Sequence, residues 1–497
     1  MNTRRPAEKQ CFRIPVRSLA DNLTVTIRSR AEFLKLQIPV STPDEADFTA
    51  QYTLPFPADQ CTLEAPEEFF AVLEWHDALP VLPPPAPQTR QQIHFSPRQG
   101  WMNDPNGLHF RGGTWHMFLQ YNPFSAKWNN MHWLHAESRD LIHWRETGIA
   151  LYPDHLGVIY SGSAVIDHNN VSGLGAPGTS PLLLFYTNAH YAGAASQHLA
   201  FSADGAESFS RYSGNPILPN SNGKEERDPQ VAFDPDAGVW RMALYSGEET
   251  SREFRLLASD DLRSWRETDR YTIAGGRECP GILPLIDRGD GKRKWLFTEA
   301  NCLYRIGEIS REGKIHFHSE SRPFYFGRSN NAYAGQFFHD APDGRAIFIA
   351  WQRMPFAEGS AVTGSMTLPV EVTLRNNTLR LTPAVQLPGT PCGAIPAIPY
   401  SAEIAAAAES IAAIRFGERS VLVDSARREV SIDGEIYRFP EEMTRLEGTL
   451  FVDRRSIEFH DHSGTFNLAL GATPQEECVL ERFQLRNIRK LHAVTSI

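Results

Sequence analysis

Hydrophobic residues along this chain recur with a period of two, not 3.6. In Leu23-Thr-Val-Thr-Ile-Arg28 and Phe33-Leu-Lys-Leu-Gln-Ile38 apolar and polar positions alternate, as they do in strands with one buried face. Short apolar runs rich in aromatic and β-branched residues follow at Trp115–Tyr121, Leu182–Tyr186, Trp240–Tyr245, Trp295–Thr298 and Ala346–Trp351. They read as buried strands and recur about every 55–65 positions, which points to repeats. Alternation returns at Ser420–Asp424, Glu429–Asp433, Thr449–Asp453, Arg455–His460 and Cys478–Leu485. Turn residues separate these at hairpin distances, as in a β-sandwich. One stretch departs from the pattern: Ser401–Ile414 is alanine-rich and reads as a helix or helical connection.

The repeat has a second trace. Ser138-Arg-Asp-Leu-Ile-His-Trp-Arg-Glu146 is nearly restated as Ser259-Asp-Asp-Leu-Arg-Ser-Trp-Arg-Glu267, with a weaker copy at Ser202–Phe209. A unit of roughly 60 residues built from short strands and tight turns suits one blade of a β-propeller, and the length available gives about five. Residues 80–88, Pro-Val-Leu-Pro-Pro-Pro-Ala-Pro-Gln, favour extended polyproline geometry and read as a stiff linker. The expected organisation is all-β. A small β-rich module occupies 1–79, the linker 80–88, a five-bladed propeller 89–372, a second linker 373–390 and a C-terminal β-sandwich 391–497.

Composition narrows the class. The chain has 497 residues, 41% of them hydrophobic, and a net charge of −10. That is ample for several cores. Without a basic patch it argues against a nucleic-acid surface. Six scattered cysteines show neither paired nor zinc-ligand spacing, which fits a reducing compartment. No window reaches the roughly 18 apolar residues of a membrane span. No apolar secretory stretch stands near Met1, so the expected location is cytoplasmic. Room is left for a homo-oligomer.

Three strings carry candidate chemistry: Trp101-Met-Asn-Asp-Pro-Asn-Gly107, Arg227-Asp-Pro229 and Glu278-Cys-Pro280. Each sets a carboxylate, Asp104, Asp228 or Glu278, among turn-forming residues. A lone Asp-Pro or Asn-Gly is usually an ordinary loop. Three such carboxylates on separate repeats can meet at a propeller axis, however. Paired carboxyls flanking a glycosidic bond are the usual equipment for cleaving it.

With these strings the chain resembles glycoside hydrolase family 32, the β-fructofuranosidases. The resemblance extends through Phe118-Leu-Gln-Tyr-Asn-Pro123, Trp128–Ala136, Tyr160-Ser-Gly-Ser163, Met366-Thr-Leu-Pro369 and Phe451-Val-Asp-Arg454. It implies a five-bladed propeller followed by a β-sandwich. It also implies Asp104 as nucleophile, Glu278 as acid/base and Asp228 as stabiliser of an oxocarbenium-like state. Asn103, Gln120, Trp128, Tyr160, Ser161 and Arg227 are implied to hold the fructosyl unit, and no metal or other cofactor is implied. The implied partners are sucrose, fructo-oligosaccharides or fructans, with fructosyl transfer (including difructose-anhydride formation) or non-catalytic glycan binding as alternatives. Arg227 is expected to depress the nucleophile's pKa. Departures at Asn129, Leu134, Glu226 and Gly281 leave substrate choice open. The 1–79 module lies outside the family's common core, and its deletion is expected to spare the chemistry.

Overall fold

A computed structural model describes residues 1–6, 9–80, 90–221, 225–248, 251–327, 331–407, 411–440, 443, 445–475 and 477–494. Strands dominate, and the one α-helix among these residues is the short Glu67–Ala71. Five consecutive, mainly antiparallel sheets fill the middle of the chain, each built around an up-and-down run of strands. They begin at Gly100–Arg111, Gly157–Ile166, Glu225–Asp234, Gly281–Ile286 and Ala332–Phe337. These first strands touch one another in sequence, and the fifth touches the first. Closure is also written in hydrogen bonds. Val362 and Thr363 pair in parallel with Gly100 and Trp101, and the Phe110 amide donates to His339 O at 2.9 Å.

The weak sequence repeat is a structural repeat. In the first three sheets an Asp-centred turn joins the third strand to the fourth. Asp140 Oδ1 accepts from the Ile142 and His143 amides, and Asp261 Oδ1 from those of Arg263 and Ser264. Asp204 Oδ1 accepts from Glu207 and Ser208, three and four positions on, so the degenerate middle copy keeps an Asp-centred turn that is one residue longer. An Asp side chain two or three positions ahead of the amides it binds is an Asx turn.

One difference from expectation concerns a boundary. Val370–Arg375 and Thr378–Pro383 are the last two strands of the fifth sheet, so the linker expected over 373–390 starts inside that sheet. Residues 81–88 of the proline-rich linker lie outside the described residues.

Beyond Pro383 a six-stranded and a five-stranded sheet pack on a shared core that includes Tyr400, Ile414, Val423, Leu450 and Phe459. The helix expected over Ser401–Ile414 is absent from its described residues. Tyr400–Ala406 and Ile411–Phe416 are strands of the two different sheets. Ala402, Ile404 and Ala406 are buried in that core, and burial between sheets overrides alanine's helix preference.

At the other end, two small sheets enclose a core of Phe12, Ile14, Val25, Leu36, Tyr52 and Phe69. Phe124, from the first of the five sheets' connections, belongs to that core, and Ile149 and Tyr152 pack against it. The N-terminal sheets are therefore fused to the central ring through shared packing.

Candidate active site

Four of the five first strands of the ring are irregular near their start, and the irregularity aims the chemistry. Pairing skips between Met102 and Pro105, between Ile159 and Gly162, between Arg227 and Gln230, and between Tyr333 and Gln336. A bulge of this kind bends a strand and re-aims its side chains. Asn103–Asp104, Tyr160–Ser161, Arg227–Asp228 and Ala334–Gly335 occupy or adjoin the skipped positions. In the fourth sheet Glu278-Cys-Pro precedes the strand that starts at Gly281. Asp228 and Cys279 adopt φ of +65° and +47°, a left-handed conformation that costs energy for residues with a side chain. The Asp228 amide is held there by Thr187 Oγ1 at 2.9 Å.

All nine residues singled out in the sequence converge. Asn103, Asp104, Gln120, Trp128, Tyr160, Ser161, Arg227, Asp228 and Glu278 line one cavity of about 350 Å³, together with Glu225, Tyr333 and Trp351. Asp104 and Asp228 form its floor, 8% and 6% exposed. Trp128 stands at its mouth, 52% exposed.

The floor is tightly bonded. Ser161 Oγ donates to Asp104 Oδ2 at 2.6 Å. The Cys279 amide donates to Asp228 Oδ2 at 3.1 Å, and its thiol lies 3.4 Å from Asp228 Oδ2 and 3.6 Å from Asp104 Oδ2. Arg227 donates to Glu278 Oε2 through Nε at 3.1 Å and Nη2 at 2.9 Å. Its Nη1 reaches Glu225 at 2.6 Å, and its guanidinium lies over the Tyr245 ring. Tyr333 OH donates to Glu278 Oε1 at 2.7 Å. Trp101 Nε1 holds Asn103 Oδ1 at 2.9 Å. Gln120 donates to Ile159 O at 3.0 Å, which fixes its carboxamide across two sheets.

Electrostatics correct one expectation. Burial, opposed by Ser161 and aided by the Glu278 charge, pushes Asp104 up to about 6. Arg227 does not depress it, because the guanidinium spends its hydrogen bonds on Glu278 and Glu225. Burial also raises Asp228, against the pull of Arg227 and with the push of Glu278 and Asp104, to about 7. Asp104 and Asp228, both buried and pressed by the Glu278 charge, cannot both ionise cheaply, so near neutrality this pair holds on to a proton.

Among the described residues one group has metal-ligand character: His116, His135 and Glu137, with ligand atoms within 4.8 Å of one another. It lies on the second and third strands of the first sheet, away from the cavity. His116 and His135 already bond each other at 3.1 Å, and Arg145 binds Glu137 at 2.7 Å, so its polar atoms are satisfied by one another.

A family model described as the glycosyl hydrolases family 32 N-terminal domain matches residues 94–383. The chain belongs to glycoside hydrolase family 32. Among curated relatives of this family 32 chain, a levanase of Bacillus subtilis is 33% identical over 283 residues, 53% of this chain and 41% of that one. An invertase of Schizosaccharomyces pombe is 34% identical over 331 residues, 60% of this chain and 56% of that one. The chain thus spans about half the length of the curated relatives it matches. Among solved structures, the exo-inulinase of Aspergillus awamori superposes with a TM-score of 0.71 at 23% identity, covering 82% of this chain and 99% of that one. A β-fructofuranosidase of Schwanniomyces occidentalis, complexed with fructosyl-erythritol, gives 0.65 at 22% identity, with 82% and 96% covered. At such identities the likeness is one of fold.

Four side chains at this cavity escaped the sequence reading. Trp351 ends the apolar run Ala346–Trp351, which reads as a buried strand, and Tyr333 was not singled out. Their partners mark them otherwise: Tyr333 bonds Glu278 and packs edge-on against Trp351 at 6.0 Å. Tyr333 directly precedes Ala334-Gly-Gln336, where φ at Ala334 is +51°, and that odd string was the available signal. Glu225 and Cys279 flank motif residues and were passed over as spacers.

Proposed function

We propose that this chain is a retaining β-fructosidase that hydrolyses terminal β-fructosyl units of sucrose or fructans. The observation that carries this is the convergence of Asp104, Asp228 and Glu278 from three sheets onto one small polar cavity. We read the five closed sheets as the blades of a propeller and the C-terminal pair as a β-sandwich. The cyclic contacts of their first strands support the first and the shared core the second.

Asp104 is assigned as nucleophile. Ser161 occupies its Oδ2, so the other oxygen is the one to attack the anomeric carbon. Glu278 is assigned as acid/base, first giving its proton to the leaving oxygen and then taking one from water. Asp228 is assigned to the fructose hydroxyls, where its charge stabilises the positive charge that develops on the ring. Hydroxyls that donate to Asp228 favour its ionised form, and Asp104 must be ionised to attack. Asn103, Gln120, Trp128, Tyr160 and Arg227 are assigned to positioning the sugar.

The relatives' names, levanase, invertase and exo-inulinase, support the substrate class. Rapid quenching of Glu278→Gln on a fructoside with a good leaving group tests the mechanism. A fructosyl adduct on the peptide carrying Asp104 is expected. An adduct elsewhere, or turnover with inverted products and no adduct, would overturn it. Oligosaccharides dominating over free fructose at high sucrose would assign transfer in place of hydrolysis.

A further inference from the structure

We propose that the N-terminal pair of sheets positions the mouth of the sugar pocket, acting through Ser18 and Gln37 on the segment that carries Trp128. The substrate side of this proposal rests on the β-fructosidase reading, whereas its geometry does not.

The carboxylates lie on the cavity floor and Trp128 at its rim. A fructosyl unit gripped by the floor must leave whatever is attached to it at the rim. The Trp128 indole, edge-on to Tyr160 at 6.2 Å, is placed to meet that second unit with an apolar face. No strand or helix spans the chain between Asn122 and His132; the Asn122 carboxamide ties it from within, meeting the Phe124 amide, Lys127 O and Asn130 Nδ2, and its remaining anchors come from outside.

Alternate residues of the segment are anchored to the N-terminal sheets. The Phe124 ring is fully buried in their core, 4.9 Å from Tyr52 and 6.2 Å from Phe12. The Ala126 amide donates to Ser18 Oγ at 2.9 Å. The Asn130 carboxamide accepts from the Gln37 amide and donates to the Gln37 carbonyl, both at 2.8 Å. Gln37 belongs to Phe33–Ile38, an edge strand paired only with Leu23–Arg28. At that step of the ladder Asn130 takes the place of a neighbouring strand and satisfies an edge that would otherwise be bare. His132 Nε2 meets Tyr52 OH at 3.0 Å. Trp128 therefore stands midway between the anchors at 126 and 130.

Such support matters because a rim residue held in place before the sugar arrives spares the cost of ordering it on binding. Ser18, Asn130 and the Gln37 main chain are accordingly positioning residues, and the sugar next to fructose is the part of the substrate they govern.

Asn130→Gly and Ser18→Ala test this in the full-length chain. Glycine suits position 130, where φ is +46° and an alanine would add strain. Hydrogen–deuterium exchange of residues 123–131 should quicken by roughly tenfold in both variants, without change around Asp104 and Glu278. KM for sucrose and short fructo-oligosaccharides should rise roughly three- to tenfold, with kcat altered less than about twofold. In a Trp128→Ala background, which itself raises KM, Asn130→Gly should add little, because both act through one side chain. Unchanged exchange would overturn the proposal, as would faster exchange with unchanged KM, or KM effects that multiply in full. A wild-type chain inert on every β-fructoside would sink the functional reading, and the exchange comparison would still decide whether the sheets hold the segment.

Discussion

Asp104 and Asp228 are carboxylates kept where carboxylates are costly, and that cost makes predictions. Folding raises Asp104 to about 6, above its ordinary value near 4. A raised carboxyl favours the folded state fully only below its unfolded pKa, and that contribution is lost as pH rises through the folded value. Asp104→Asn should therefore be at least as stable as the wild type at pH 7–8, with the difference fading toward pH 4 in thermal melts. The same substitution, like Glu278→Gln, should cut turnover by roughly a thousandfold or more, since each removes one member of a catalytic unit. The acid limb of kcat/KM should fall near pH 6 as Asp104 takes up its proton. Near-normal turnover in either variant would remove that residue from its role. Residues of this kind were legible in the sequence because their neighbours are so particular: Asp104 and Asp228 before proline, Glu278 before Cys-Pro. Tyr333 and Trp351 were not, because an aromatic side chain in a strand has the same local pattern whether it faces a core or a sugar.

At the scale of elements, the junction between the ring and the C-terminal sheets turns on His94. Its Nδ1 meets Asp453 at 2.8 Å and its Nε2 meets Glu458 at 2.9 Å, all three side chains fully buried. Glu458 also contacts His460 and accepts from the Leu368 amide. Burial works against the His94 charge, but the bonds and charges of Asp453 and Glu458 outweigh it and push His94 up to about 9. Its stabilising contribution is fully present below the unfolded value near 6.5 and is lost as pH rises through about 9. His94→Gln should cost on the order of 3 kcal/mol at pH 6, and the gap in urea midpoint should shrink by pH 9.5. An equal gap at both pH values would contradict a charged His94. Pattern reading found the strands that alternate, but it misread Ser401–Ile414. Alanine is small enough to be buried on either face of a strand and so leaves no period of two to detect. It also undervalued Ser202–Phe209, whose turn survives because one Asp at the right position is enough to make it.

For the molecule as a whole, the sequence announced repeats and a linker, yet nothing local announced that the first sheets share a core with the ring. That depends on Phe124 meeting Tyr52 and Phe12, partners more than 70 positions away. The expectation that deleting residues 1–79 spares the chemistry therefore gains a condition on stability. Phe124→Ala should cost about 3–5 kcal/mol, and a chain lacking 1–79 should lose the cooperative unfolding transition of the full-length protein in calorimetry. A truncated chain that melts like the wild type would show the sheets to be an appendage. Ring closure was equally hidden, since it pairs Val362–Thr363 with Gly100–Trp101 across the whole central region. Closure is what brings three distant carboxylates into one cavity. The most direct test of what that cavity does is fructose release from sucrose, inulin and levan by the wild type and Asp104→Asn side by side. Free fructose should be the main product from at least one of the three and should vanish with the substitution. No fructose from any of them, or release that survives Asp104→Asn, would contradict the assignment.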